Sequence, residues 1–88
     1  MATLNFNKEG DDWVAKFTSA GNTVIELERE KAAIVSVHAN ISGMRAVPIA
    51  QYNNGYTADA ILRVNVPSGI EVTIISKSEV TRAEMQVS

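Results

Sequence analysis

Hydrophobic and polar residues alternate along most of this 88-residue chain. The clearest runs are residues 57–66 and 70–75, and a period of two predicts strands with one buried face. The link Pro67-Ser68-Gly69 is typical of a type I turn followed by a glycine with positive φ. A three-residue loop would place Val64 opposite Val72, so that inward residues face inward residues. The pattern therefore predicts a hairpin between these two strands.

The same alternation predicts further strands in the rest of the chain. They lie at residues 3–7, 13–18, 23–29, 33–41, 44–51 and 80–87, and we expect the first three to form a meander. Pro48 cannot donate a ladder hydrogen bond, which predicts an edge position for its strand. With no convincing helix, the sequence predicts one all-β domain over residues 1–88. We expect a small antiparallel β-sandwich of about eight strands, jelly-roll-like or a meander, with a small β-barrel as the alternative.

A second turn, Asn53-Asn54-Gly55, predicts a hairpin in which Tyr52 lies opposite Tyr56. The two predicted hairpins together align Val47, Ile61 and Ile75 in one outward row, with Ile49 close to it. Monomeric sheets usually carry polar residues on a solvated face. The row therefore predicts either a second inner face of the sandwich or a homo-oligomer interface made by Val47, Ile49, Ile61 and Ile75.

The tip of the second predicted hairpin suggests a ligand. Tyr52 and Tyr56 would flank Asn54, and stacking rings beside an amide are the groups that sugar recognition uses. A carbohydrate-binding module is thus the alternative function. Two tyrosines that close a hairpin also serve as a stiffening cross-strand pair, which needs no ligand.

The charge and composition of the chain argue against two classes of partner, nucleic acids and membranes. The formal net charge is −2 and the eight basic residues are scattered, so we expect no nucleic-acid binding. The start of the chain lacks a secretory pattern, and no apolar stretch is long enough to span a membrane. We therefore expect no membrane partner, and a cytoplasmic or virion location. The absence of cysteine excludes disulfides and thiolate zinc sites within the chain.

The residues that carry chemistry are few. His38 is the single histidine, so one chain cannot build a catalytic triad or a multi-histidine metal site. By parity it faces away from the main core. Asp11 and Asp12 are the paired carboxylates of a turn, where they are better suited to stabilising the turn than to acid–base chemistry. The sequence predicts no enzyme, no cofactor and no metal.

Two N-terminal segments carry a family resemblance. Leu4-Asn5-Phe6-Asn7-Lys8 followed by Trp13-Val14-Ala15-Lys16-Phe17 resembles the opening of small all-β proteins of prophage regions and virions of gut-type bacteriophages. That resemblance covers about the first twenty residues. It implies a non-catalytic head-decoration or fibre-associated subunit that works in multiple copies, with other structural proteins as further partners. The residue pattern independently favours a self-assembling interaction module.

Overall fold

A computed structural model describes residues 2–31, 33–40, 47–53 and 59–87. These ranges contain nine strands and no helix. The strands are β1 (Ala2–Thr3), β2 (Asn7–Glu9), β3 (Asp12–Thr18), β4 (Gly21–Arg29), β5 (Ile34–Asn40), β6 (Val47–Asn53), β7 (Asp59–Val66), β8 (Glu71–Ser76) and β9 (Val80–Val87).

The strands form two antiparallel sheets. Sheet A has the order β1-β9-β4-β7 and sheet B the order β2-β3-β8-β5-β6. All neighbours in both sheets are antiparallel. Strand β2 only extends sheet B at its edge, and without it each sheet has four strands in the order of a jelly roll. The predicted all-β sandwich is confirmed, and the barrel alternative is wrong for the described part of the chain.

The core lies between the two sheets and is built from the inward side chains of the alternating runs. The predicted inward residues of the central strands are almost completely buried, and those with at most 1% exposure are Ile25, Leu27, Val35, Val37, Leu62, Val72 and Ile74. Two predictions at the chain ends need correction. The first predicted strand is two short strands, with buried Leu4 between them, and Val87 is 54% exposed although its parity predicts an inward position.

The first predicted hairpin is wrong. Strand β7 pairs with β4 in sheet A, whereas β8 pairs with β3 and β5 in sheet B. The link Pro67-Ser68-Gly69 therefore crosses between the sheets. Gly69 does have the predicted positive φ, +93°. Val64 and Val72 are both buried as predicted, but they belong to different sheets.

The second predicted hairpin is also wrong, and of the N-terminal meander only the antiparallel pairing of β2 with β3 forms. Strand β6 pairs with β5, so it lies in sheet B and not beside β7. Strand β3 likewise lies in sheet B, whereas β4 is in sheet A. The predicted edge position of the strand that carries Pro48 is confirmed, since β6 ends sheet B among the described strands.

Candidate functional site

Within the described residues, four strands form the edges of the two sheets, namely β1, β2, β6 and β7. Strands β1 and β2 have only two and three residues. Strand β6 contains Pro48, and its pairing with β5 shifts register between Val37 and His38. Short length, proline and register irregularity are each devices that prevent one sheet edge from pairing with another.

Strand β7 has none of these three devices. It runs for eight residues, Asp59–Val66, with neither proline nor glycine. Its register with β4 is continuous from Gly21 opposite Val66 to Glu28 opposite Asp59. No described strand pairs with its outer edge. Backbone N–H and C=O groups on that side are suited to accept another strand.

The outer face of β7 carries an exposed apolar side chain. Ile61 is 65% exposed, while its neighbour Leu62 is fully buried in the core. Across sheet A, Ile61 lies opposite Glu26 of β4, which lies opposite Glu84 of β9. Ile61 is thus an apolar residue at the edge of the sheet, beside two glutamates in the same row. A β-branched residue there combines strand propensity with an apolar surface that a partner can cover.

Acidic side chains on the outer face of sheet A surround Arg82. Its guanidinium nitrogens lie 3.5 Å from Glu26 Oε2, 3.6 Å from Glu28 Oε1 and 3.5 Å from Glu84 Oε2. The Arg82 side chain is half exposed, so each pair contributes little to stability. The arrangement still reduces the repulsion among three glutamates on one small surface.

The outer face of sheet B is polar at its centre. Asn40 Nδ2 donates hydrogen bonds to Glu71 Oε1 at 2.8 Å and to Thr73 Oγ1 at 2.7 Å. Thr73 is 8% exposed although it points away from the core, because neighbouring strands cover it. His38 lies opposite Thr73 on this outer face, as its parity predicts, and is half-buried there. These groups join β5 to β8.

The predicted oligomer-interface residues do not form one row. Val47 and Ile49 belong to β6 in sheet B, and Val47 lies opposite Ala39. Ile75 belongs to β8, also in sheet B, and is half-buried between Val14 and Ser36 on the neighbouring strands.

Of the four predicted interface residues, only Ile61 lies in sheet A. The predicted row is therefore wrong, because it depends on two hairpins that do not form. Participation of the four residues in an interface stays a prediction.

The predicted ligand residues are only partly described. Tyr52 lies in β6 with its Cα opposite Val35. Asn54 and Tyr56 lie outside the described residues. The predicted hairpin does not form, because β6 and β7 belong to different sheets, and the proximity of Tyr52 to Tyr56 stays a prediction.

Asp12, one of the paired carboxylates, takes part in a surface contact. Lys77 Nζ donates a hydrogen bond to Asp12 Oδ1 at 2.7 Å, which joins the first residue of β3 to the loop after β8. Among the described residues, no group of three or more histidine, cysteine, aspartate or glutamate side chains could hold a metal ion. None of the elements in these ranges is a membrane-spanning helix.

An open groove lies beside the segment that joins β1 to β2. Its volume is about 420 Å³. The lining mixes charged, amide and apolar side chains, including Glu9, Lys16, Asn5, Asn7 and Met85. This mixture lacks a set of nucleophile, base and orienting group, and it defines no reaction.

The open edge of β7 is the feature that sequence reasoning missed. Its signal is present in the chain, since residues 59–66 form a long alternating run without proline or glycine. The two predicted hairpins placed a neighbouring strand on each side of β7, so neither of its edges was predicted to be open. Finding it requires the pairing of β7 with β4, whose residues lie more than thirty positions earlier.

Comparisons of the chain with family models, with curated proteins and with solved structures find no match.

Proposed function

We propose that this chain is a non-catalytic structural module that acts by associating with further copies of itself. The observation that carries the proposal is the long, regular edge strand β7 with Ile61 exposed on its outer face. Natural monomers usually protect such an edge, because an open one promotes pairing with another chain.

The jelly-roll fold is compatible with this role. Viral capsid and lectin domains both use jelly rolls, although a fold alone does not determine a function. The N-terminal resemblance to phage proteins favours the first use. We therefore propose a component of a virion, such as a decoration or fibre-associated subunit, with other structural proteins as further partners.

A structural role without catalysis also agrees with the chemistry of the described surfaces. His38 is half-buried on the outer face of sheet B, and Asn40 contacts Glu71 and Thr73 there. The acidic side chains around Arg82 lie on the other sheet. On both faces, polar side chains thus contact one another across neighbouring strands, as in a surface whose role is structural.

Light scattering coupled to size exclusion tests the proposal. We expect a mass of two or more chains at micromolar concentration, shifting towards one chain on dilution. A single-chain mass throughout the accessible concentration range would refute self-association.

Carbohydrate binding through Tyr52, Asn54 and Tyr56 is the alternative. A glycan array that compares the wild type with Tyr52→Ala and Tyr56→Ala distinguishes the two functions. Specific binding that both substitutions abolish would favour the carbohydrate-binding module. We expect no specific binding.

A further inference from the structure

We infer that two copies of the chain join through their β7 strands, antiparallel and in a register centred on Ile61. This inference rests on the proposed self-association and specifies its interface. It makes sheet A of one copy continuous with sheet A of the other, as in other cases of strand addition at a sheet edge. A two-fold axis relates the two copies, so that β7 of one copy pairs with β7 of the other. Two-fold symmetry is the commonest symmetry of homo-oligomers.

The four sheet edges differ in how well each could pair with a second copy of the chain. Of the four edges that the described residues form, β1 and β2 offer too few residues and β6 is interrupted by Pro48 and a register shift. Strand β7 offers eight residues in unbroken register with β4. It is therefore the edge on which a continuous ladder can form.

Side-chain parity limits the register. Leu62, Val64 and Val66 face the core, whereas Ile61, Arg63 and Asn65 are exposed. A partner strand must place outward residues opposite outward residues, since a slip by one residue would send its core side chains to the solvent. The two-fold axis must then place one residue of β7 directly opposite its own copy, with Ile61, Leu62, Arg63 and Val64 as the central choices.

Charge and apolarity distinguish these four registers. Centring on Val64 places Arg63 opposite Asn65 and brings no two apolar residues together on the outer face. Centring on Arg63 places two guanidinium groups opposite each other, and centring on Leu62 places Arg63 opposite Ile61. Centring on Ile61 places the two isoleucines together and brings position 59, an aspartate, opposite Arg63 of the second copy on both sides. Apolar and opposite-charge cross-strand pairs are the favourable ones. The register centred on Ile61 is the one that satisfies both.

The absence of cysteine from the chain permits a direct measurement of this register. Directly opposite residues of an antiparallel pair have Cα atoms about 4.5 to 5.5 Å apart. A disulfide needs a separation of about 4.4 to 6.8 Å. In a glutathione redox buffer, Ile61→Cys should therefore form a disulfide-linked dimer. Arg63→Cys is the matched control, because four residues of offset separate its two copies by more than about 13 Å.

A charge exchange tests the same register without a covalent bond. Arg63→Asp alone places two carboxylates opposite each other and should weaken dimerisation by about tenfold or more, equivalent to ~1.4 kcal/mol. Adding Asp59→Arg restores opposite charges and should recover the wild-type dissociation constant, measured by sedimentation equilibrium. Circular dichroism checks that each variant is folded.

The outcomes separate failure of this inference from failure of the proposed function. A wild-type oligomer that gives no Ile61→Cys disulfide, or no recovery with the double charge exchange, overturns the β7 interface and leaves self-association intact. Faster disulfide formation by Arg63→Cys than by Ile61→Cys overturns the register. A wild-type chain that is monomeric at every concentration overturns both proposals.

Discussion

The Ser19 hydroxyl donates a 2.7 Å hydrogen bond to the backbone carbonyl of Val66, 47 residues later in the chain. Ser19 is 3% exposed, and its backbone also pairs with this region. Its N–H donates to the carbonyl of Ile70, and its carbonyl accepts from the N–H of Gly69, both at 2.8 Å. One buried serine thus joins the β3–β4 and β7–β8 connections, both of which cross between the sheets.

Ser19→Ala should lower the free energy of unfolding by about 1 to 3 kcal/mol, the cost of leaving a buried polar group without its partner. Urea denaturation followed by circular dichroism measures the change. Ser68→Ala is the matched control, because Ser68 is exposed in the connection that Ser19 anchors. Its effect should stay within about 0.5 kcal/mol. Equal denaturation midpoints for the two variants would show that the Ser19 hydroxyl contributes nothing.

Gly69 has a φ of +93°, a conformation that side-chain-bearing residues rarely adopt. A Cβ built there has no heavy atom within 4 Å outside its chain neighbours, so a substitution meets strain but no collision. Gly69→Val should therefore cost about 1 kcal/mol or more. Gly69→Asn should cost less, because asparagine tolerates positive φ better than a β-branched residue. Wild-type melting of Gly69→Val would contradict the turn conformation.

Alternation in the sequence predicts which face of a strand is buried, and it does so well here. Val35 and Val37 on β5, or Leu62 and Val64 on β7, occupy the core as their parity predicts. The physical reason is local. A strand whose apolar residues repeat every second position can bury them only on one side.

Alternation does not predict which sheet a strand joins. Val64 and Val72 satisfy the inward pattern equally well as neighbours in one sheet or as members of two facing sheets. The turn residues Pro67-Ser68-Gly69 suit either arrangement, since the positive φ of Gly69 is found in a connection between sheets. Pairing of β4 with β7 and β9 depends on contacts distant in the chain. For this reason the predicted row of Val47, Ile61 and Ile75 does not form.

Arg82→Gln should destabilise the protein slightly and in a salt-dependent way. The substitution removes contacts to Glu26, Glu28 and Glu84 and leaves three carboxylates on the same surface. For half-exposed pairs, the expected loss is below about 1 kcal/mol at low salt. It should shrink at 1 M salt, where the screening length falls to about 3 Å.

Thermal unfolding at the two salt concentrations measures this loss, and Arg82→Lys is the control that keeps the charge. A loss that is unchanged by salt would show that the Arg82 side chain acts through packing and not through charge.

The neighbours Leu62 and Ile61 test the orientation of the β7 edge strand. Leu62 is fully buried opposite Ile25, whereas Ile61 is 65% exposed opposite Glu26. Leu62→Ala should cost about 2 to 5 kcal/mol, because it removes core contacts and leaves a cavity. Ile61→Ala should change the stability of the single chain by no more than about 0.5 kcal/mol.

Urea denaturation at the lowest measurable protein concentration compares the two variants as single chains, without any effect of the substitutions on association. Repeating it at high concentration should lower the stability of Ile61→Ala relative to the wild type, because association stabilises only the folded chain that can associate. Leu62→Ala should show its full loss at both concentrations. Equal losses for the two variants at low concentration would mean that Ile61 belongs to the core and that β7 presents a different face to the solvent.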